Sequence, residues 1–160
     1  MRLYVAAVGR LKDSAERDIS DRYLKRFNGA GRTLGLGPLE IIELVESRAA
    51  SADTRKDDEA QRLLKICAVA PVKIALDVTG KSVTSAAFAE LIRKERDGGV
   101  KGLAFLIGGP DGHGAGVLGD ARMTLSLGAL TFPHGLARIV LMEQLYRAAT
   151  ILSGHPYHRT

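Results

Sequence analysis

"LAFLIGGPDGHGAG", Leu103 to Gly116, joins an unbroken apolar run to a loop dominated by glycine. An apolar run without alternation fits a strand covered on both faces, as in the parallel sheets of α/β proteins. Ile107 would then mark the strand's carboxyl end. Ligands of open α/β sheets bind there, and glycine lets backbone N–H and C=O groups approach them closely. The loop Gly108 to Gly116 is too rich in glycine to serve only as a turn.

Outward from this stretch, strands and helices alternate. Leu3 to Val8, Leu39 to Val45 and Val72 to Val78 read as the preceding strands, and Leu103 to Ile107 as the fourth. Between them, a helix starts at Asp13, a capping residue with Glu16 three positions later, and carries Ile19, Tyr23 and Phe27 on one face. Asn28 to Pro38 reads as a glycine-rich loop. A charged helix spans Asp53 to Ala68, with Ala60, Leu63, Leu64 and Cys67 as its stripe, and Pro71 stops it. A third helix, Thr84 to Arg96, turns Phe88, Leu91 and Ile92 inward and ends at Gly98-Gly99. The alternation predicts an α/β fold, a mostly parallel sheet with helices on both faces. Downstream, a short helix (Val117 to Met123) and a short strand (Thr124 to Leu127) lead to a second glycine-bearing loop, Gly128 to Gly135. That loop brings Thr131, Phe132, Pro133 and His134, and is expected to converge with the first on a small-ligand pocket built mainly of backbone.

The 160 residues, 46% of them apolar and 26% charged, suit one domain spanning 1–160, without repeat or linker. The net charge of +5 is compatible with a polyanionic partner without requiring one. Cys67, the single cysteine, lies in an apolar stretch and reads as a buried thiol. The short apolar run before Arg10 and Lys12 is no signal peptide or membrane span, so a cytoplasmic location is expected.

Two nucleotide motifs fail on context. Thr79-Gly80-Lys81-Ser82 resembles the end of a P-loop, but the loop's earlier glycine is replaced by Ala75, inside a strand; a polar strand-end loop with Ser82 or Thr84 capping the next helix is the plainer reading. Gly114 to Gly119, "GAGVLG", matches the dinucleotide fingerprint in letters. It starts too far beyond Ile107, however, and lacks the acidic ribose ligand about 20 residues later. A nicotinamide-dependent oxidoreductase is the function this second motif would otherwise imply.

The last helix, Leu136 to Leu152, is apolar around nearly its whole circumference, which implies cover on every side and suggests a homodimer. Glu143, Arg147 and Thr150 form its one polar stripe. The chain closes on His155-Pro156-Tyr157-His158-Arg159-Thr160. The pair His155 and His158, without cysteine or acidic company, does not make a metal site, and no metal is expected. The tail is either a loose basic end or a segment placed across an active site.

"LDVTGK" (Leu76 to Lys81), "FLIGGPDG" (Phe105 to Gly112), "SLGALTFPH" (Ser126 to His134), "EQLYRA" (Glu143 to Ala148) and "HPYHR" occur in order along the chain. Together they resemble the ribosomal RNA large subunit methyltransferase H family, small members of the SPOUT methyltransferases. The resemblance implies a C-terminal trefoil knot, a rare exception to unknotted folding. It implies a homodimer that acts on the assembled ribosome and transfers a methyl group from S-adenosylmethionine to N3 of a pseudouridine in 23S rRNA. Carried over by motif, Leu76, Gly108, Gly109, Leu127, Gly128, Ala129, Leu130, Thr131 and Phe132 would hold the cofactor. Tyr157, His158 and Arg159 would reach the active site, that of the partner subunit, with Glu143 and Arg147 beside them. Arg159 or Arg147 would stabilise developing negative charge and His158 would accept the proton. Family members often carry serine where this chain has Gly128, which puts the hydrogen bonding at that point of the pocket in question.

Overall fold

The computed structural model describes residues 1–12 and 15–157. Five strands and five helices follow one another as β1 (Arg2–Val8), α1 (Ala15–Gly31), β2 (Leu39–Leu44), α2 (Ala52–Ile66), β3 (Val72–Ser82), α3 (Ser85–Asp97), β4 (Gly102–Ile107), α4 (Ala115–Asp120), β5 (Met123–Ser126) and α5 (His134–Ser153). A short 3-10 turn, Arg32–Leu34, follows α1. The strands form one sheet in the order β2-β1-β4-β3-β5, with every pairing parallel.

The apolar runs that predicted two-sided burial behave accordingly, β4 being buried along its whole length. Successive side chains point to opposite faces of a strand. Leu3, Val5, Ala7, Leu103 and Phe105 pack into one layer with Phe27 of α1, Phe88 and Ile92 of α3, and Leu141, Met142 and Leu145 of α5. Tyr4, Ala6, Val8, Ala104 and Leu106 enter the other with Ala60 and Leu63 of α2, Cys67 just beyond it, and Val117 of α4. Full burial of each large aliphatic or aromatic side chain stabilises the fold by about 1.5–3 kcal/mol. Cys67 is completely buried, and burial pushes its thiol up to about 11, so it is an inert core residue.

Several boundaries differ from the sequence expectation. Asn28 to Gly31 are helical: α1 runs on to Gly31, and Asn28 spends its amide on the backbone of Leu39, accepting from its N–H at 2.7 Å and donating to its carbonyl at 3.2 Å. The expected cap Asp13 lies outside the described residues. Helix α2 starts at Ala52, one residue before the expected Asp53, and Ser51 caps it, its hydroxyl accepting from Thr54 N–H at 3.1 Å. Thr84 caps α3 through Ala87 N–H, also at 3.1 Å. Thr79 to Ser82 are strand rather than loop, because β3 extends to Ser82 to reach β5. The short helix ends at Asp120, β5 ends at Ser126, and α5 begins at His134, so Leu127 and the residues after it are loop. Thr150 is not part of a surface stripe; it is buried, its hydroxyl bonded to the Arg147 carbonyl at 2.7 Å. Helix α5 is also less uniformly covered than its composition implied: Leu136 remains exposed, and Ile139 and Val140 are half-buried.

Candidate functional site

Leu76 of β3 and Ile107 of β4 are paired neighbours, and the two glycine loops leave the sheet beside them. Leu125 pairs with both Leu76 and Lys81, so Asp77 to Gly80 bulge out of β3. Gly80 is required at the base of this bulge, where a Cβ would sit 2.7–2.8 Å from backbone atoms of Leu125 and Thr124. Within it, Asp77 Oδ1 accepts from Thr79 N–H at 2.8 Å and Thr79 Oγ1 at 2.6 Å. These bonds, above all that from the hydroxyl, hold the Asp77 carboxyl below its ordinary range despite partial burial.

The bulge, the Gly108–His113 loop and the segment from Leu127 to His134 together enclose a cleft of about 860 Å³. Leu76, Gly108, Gly109, Leu127, Gly128, Leu130, Thr131 and Phe132 all line it, while Ala129, in the same loop, does not. Gly108, Gly109, Gly112 and Gly128 bare main chain along part of the wall, and side chains such as Leu76, Ile107 and Leu130 line it with them. The Gly109–Gly112 turn closes through Gly112 N–H to Gly109 O at 2.9 Å, with Gly112 at φ +86°. Gly108 packs so closely on this turn that a Cβ would lie 2.9 Å from the Gly112 carbonyl carbon. Leu130, 74% exposed, stands at the mouth as an uncovered apolar side chain.

Two wall residues escaped the sequence reading. Asp77 falls within the expected strand Val72 to Val78 and the "LDVTGK" stretch, where nothing local marks its carboxylate as part of a site. His113 lies inside the glycine loop and is buried, its Nε2 3.2 Å from the Leu106 carbonyl oxygen. A carbonyl only accepts, so Nε2 carries the proton, and Nδ1 is a buried acceptor to which no donor bonds among the described residues. Burial lowers the pKa of His113, against the opposing pull of the Leu106 carbonyl, the Asp77 charge and the Leu76 backbone, which favours the neutral ring.

A second group assembles on α5. Arg147 donates to Glu143 Oε1 from Nε at 2.9 Å and from Nη2 at 2.6 Å, and Tyr157 donates its hydroxyl to the same oxygen at 3.2 Å. The Arg147 guanidinium lies 5.1 Å from the Tyr157 ring centroid, and that ring packs on Tyr146 at 4.7 Å. Burial, bonding with Tyr23 and the Glu143 charge raise the pKa of Tyr157, so its phenol is a proton donor and not a base. The Glu143 hydrogen bond in turn raises that of Arg147. Glu143, Arg147 and Tyr157 are thus brought together, but none of them lines the cleft of their own chain. His158 and Arg159 lie outside the described residues. Between the two groups is a smaller cavity of about 300 Å³, bounded by Ser85, Gln144 and Val140 and sharing Leu125, Leu127 and Gly128 with the cleft.

A parallel α/β sheet with a glycine-bearing crevice at the carboxyl ends of its strands defines a small-ligand-binding α/β protein. The chain belongs to the SPOUT methyltransferase family, whose model, described as "Predicted SPOUT methyltransferase", matches residues 1–158. It is similar to proteins named ribosomal RNA large subunit methyltransferase H. One from Xanthobacter autotrophicus is 49% identical over 99% of both chains, and one from Rhizobium leguminosarum is 50% identical over the same shares. One from Brucella anthropi is 49% identical over the full length of both. Likeness to solved structures is looser. A Legionella pneumophila chain, determined with bound SAM, superposes with a TM-score of 0.47 at 13% identity, covering 91% of this chain and 65% of that one. Among the described residues no group of three or more His, Cys, Asp or Glu is placed to hold a metal, and no helix is long and apolar enough to cross a membrane.

Proposed function

We propose that this chain is a single-domain, cytoplasmic 23S rRNA methyltransferase. It works as a homodimer on the assembled ribosome and methylates N3 of a pseudouridine with S-adenosylmethionine as donor. The observation that carries this reading is the cleft, in which every carried-over cofactor residue but Ala129 meets in one wall. Support for the substrate comes from relatives of matching length named for ribosomal RNA methylation.

The cleft fits the donor in size and chemistry. A volume of about 860 Å³ falls in the range of small-molecule sites, and the glycine loops that border it can offer main-chain donors and acceptors beside apolar side chains. Main-chain groups of Gly108, Gly109, Leu127, Leu130, Thr131 and Phe132 would hold it, with the Leu76 and Leu130 side chains against its apolar surface. When bound there, the donor supplies a methyl group already activated by a sulfonium. The C-terminal trefoil knot belongs to the same reading.

The protein's tasks are orientation and charge control. N3 of a pseudouridine is an imide nitrogen and becomes a good nucleophile only as its proton leaves. Arg147, fixed by two bonds to Glu143, is a positioned cation for the resulting negative charge, and Tyr157 is a neutral donor beside it. His158 is the proton acceptor in this scheme and Arg159 a second cation. Because this group does not line the cleft of its own chain, it is assigned to the cleft of the partner copy. The test is transfer of a labelled methyl group to ribosomes lacking the modification, followed by mapping of the nucleotide. Label confined to one pseudouridine is expected. No incorporation, or label on another base, would refute the assignment.

A further inference from the structure

The glycine turn that forms one wall of the cleft is gripped from behind by α2. Arg55, in the first turn of that helix, donates from Nε to Asp111 Oδ2 at 2.7 Å and from Nη2 to Asp111 Oδ1 at 3.2 Å. Its remaining nitrogen, Nη1, donates to the carbonyl oxygens of Ala49 at 3.1 Å and Ala50 at 3.3 Å. One guanidinium therefore ties the turn to the segment that leads into α2. The helix also supports the loop through two close backbone approaches. A Cβ on Gly109 would lie 2.7 Å from Glu59 Oε2, and one on Gly114 would lie 2.6 Å from the Lys56 carbonyl oxygen.

Asp111 is the only charged residue of the Gly109–Gly112 turn, and it borders the cleft. Arg55 does not. We infer that Arg55 is a positioning residue for the methyl-donor cleft: through Asp111 it fixes the Gly108–Gly112 wall and neutralises a carboxylate at the rim, setting donor affinity without touching the donor. This rests on the function proposed above. The planar fork of an arginine can satisfy both carboxylate oxygens and two carbonyls at once, which a lysine ammonium cannot. The pair is part-exposed, with 30% and 28% of the two side chains accessible, so its effect is moderate.

The experiment is calorimetric titration of S-adenosylmethionine into the full-length protein and its Arg55→Ala, Arg55→Lys and Arg55→Asp/Asp111→Arg variants, with KM and kcat measured on unmodified ribosomes. Thermal unfolding of each variant establishes that it folds. Arg55→Ala is expected to raise the donor Kd and KM about fivefold while kcat at saturating donor stays within about twofold. Arg55→Lys should fall between wild type and Arg55→Ala, and the charge-reversed pair should recover part of the loss. Equal donor affinity in wild type and Arg55→Ala, or a fall in kcat alone, overturns the positioning role and leaves the proposed function standing. A wild-type protein that binds no donor overturns both.

Discussion

Ser126 and Gly128 hold each other across the bend that leaves β5. The Ser126 hydroxyl accepts from Gly128 N–H at 3.2 Å and donates to the Gly128 carbonyl oxygen at 2.9 Å. Both main-chain groups of Gly128 are thus engaged within the bend, and its φ of +136° is one that residues with a Cβ rarely adopt. A glycine at this point of the pocket is therefore a backbone requirement of this loop, whatever side chain relatives place there.

Gly128→Ala is expected to destabilise the protein by about 1–2 kcal/mol from backbone strain alone, because nothing lies within 4 Å of the added Cβ. Chemical denaturation measures that loss, and donor titration should show weaker binding as the loop shifts. Gly128→Ser should cost the same. A Gly128→Ala protein with wild-type stability would mean that the bend relaxes without cost.

Arg138 is fully buried at the start of α5, where it bonds to Glu43 of β2 through Nη1 and to the Gly9 carbonyl through Nη2 at 2.7 Å. Glu43 also accepts from Leu11 N–H at 2.9 Å and from Arg17 at 3.3 Å. The network pins α5 to the carboxyl ends of β1 and β2. Removing the buried arginine leaves the part-buried Glu43 with only Leu11 N–H and Arg17 as partners, so Arg138→Met should cost about 2 kcal/mol. The double variant Glu43→Leu/Arg138→Met should recover part of it. Equilibrium urea unfolding of the three proteins decides the point, and additive losses would show that the two side chains act independently.

The alternation of strands and helices was legible because β1 and β4 are nearly bare apolar runs, β2 and β3 keep apolar centres, and the longer helices around them are amphipathic or capped. The glycine loops were legible as a ligand wall for the same local reason, since only glycine permits such approaches. Arg138 was not legible. An arginine in an apolar helix gives no local sign that Glu43 and Gly9, far away in the chain, will surround it. The bulge at Asp77 to Gly80 was missed because its cause is the pairing of Leu125 with both Leu76 and Lys81, a tertiary fact. Asn28 to Gly31 looked like loop through its glycines, yet tertiary packing kept the helix going.

The three-way contact at Glu143 Oε1 separates the roles of its partners. Tyr157→Phe removes one hydrogen bond, worth about 1 kcal/mol, and leaves both Arg147 bonds in place. Single-turnover methylation of ribosomes should slow about fivefold. Arg147→Ala removes the fixed cation and should slow it by about 100-fold or more. If the two substitutions had equal effects, the phenol and the guanidinium would be acting as one unit.

Stability should fall in two separate steps as the solution is acidified. His113 has its pKa lowered below the ordinary 6.5 by burial, so the unfolded chain takes up a proton there before the folded protein does. Its contribution is complete above pH 6.5 and declines as the pH falls from that value towards the folded pKa. At Glu43 burial opposes ionisation, but the Leu11 N–H, Arg138 and Arg17 outweigh it and hold the carboxyl below its ordinary 4.5. Its contribution is therefore complete above pH 4.5 and is lost as the pH falls through the lowered value. Unfolding free energies measured across this range should show His113→Gln flattening only the upper step and Glu43→Gln only the lower. An upper step unchanged in His113→Gln would mean that another group titrates there and that the imidazole beside the cleft is not held neutral by its surroundings.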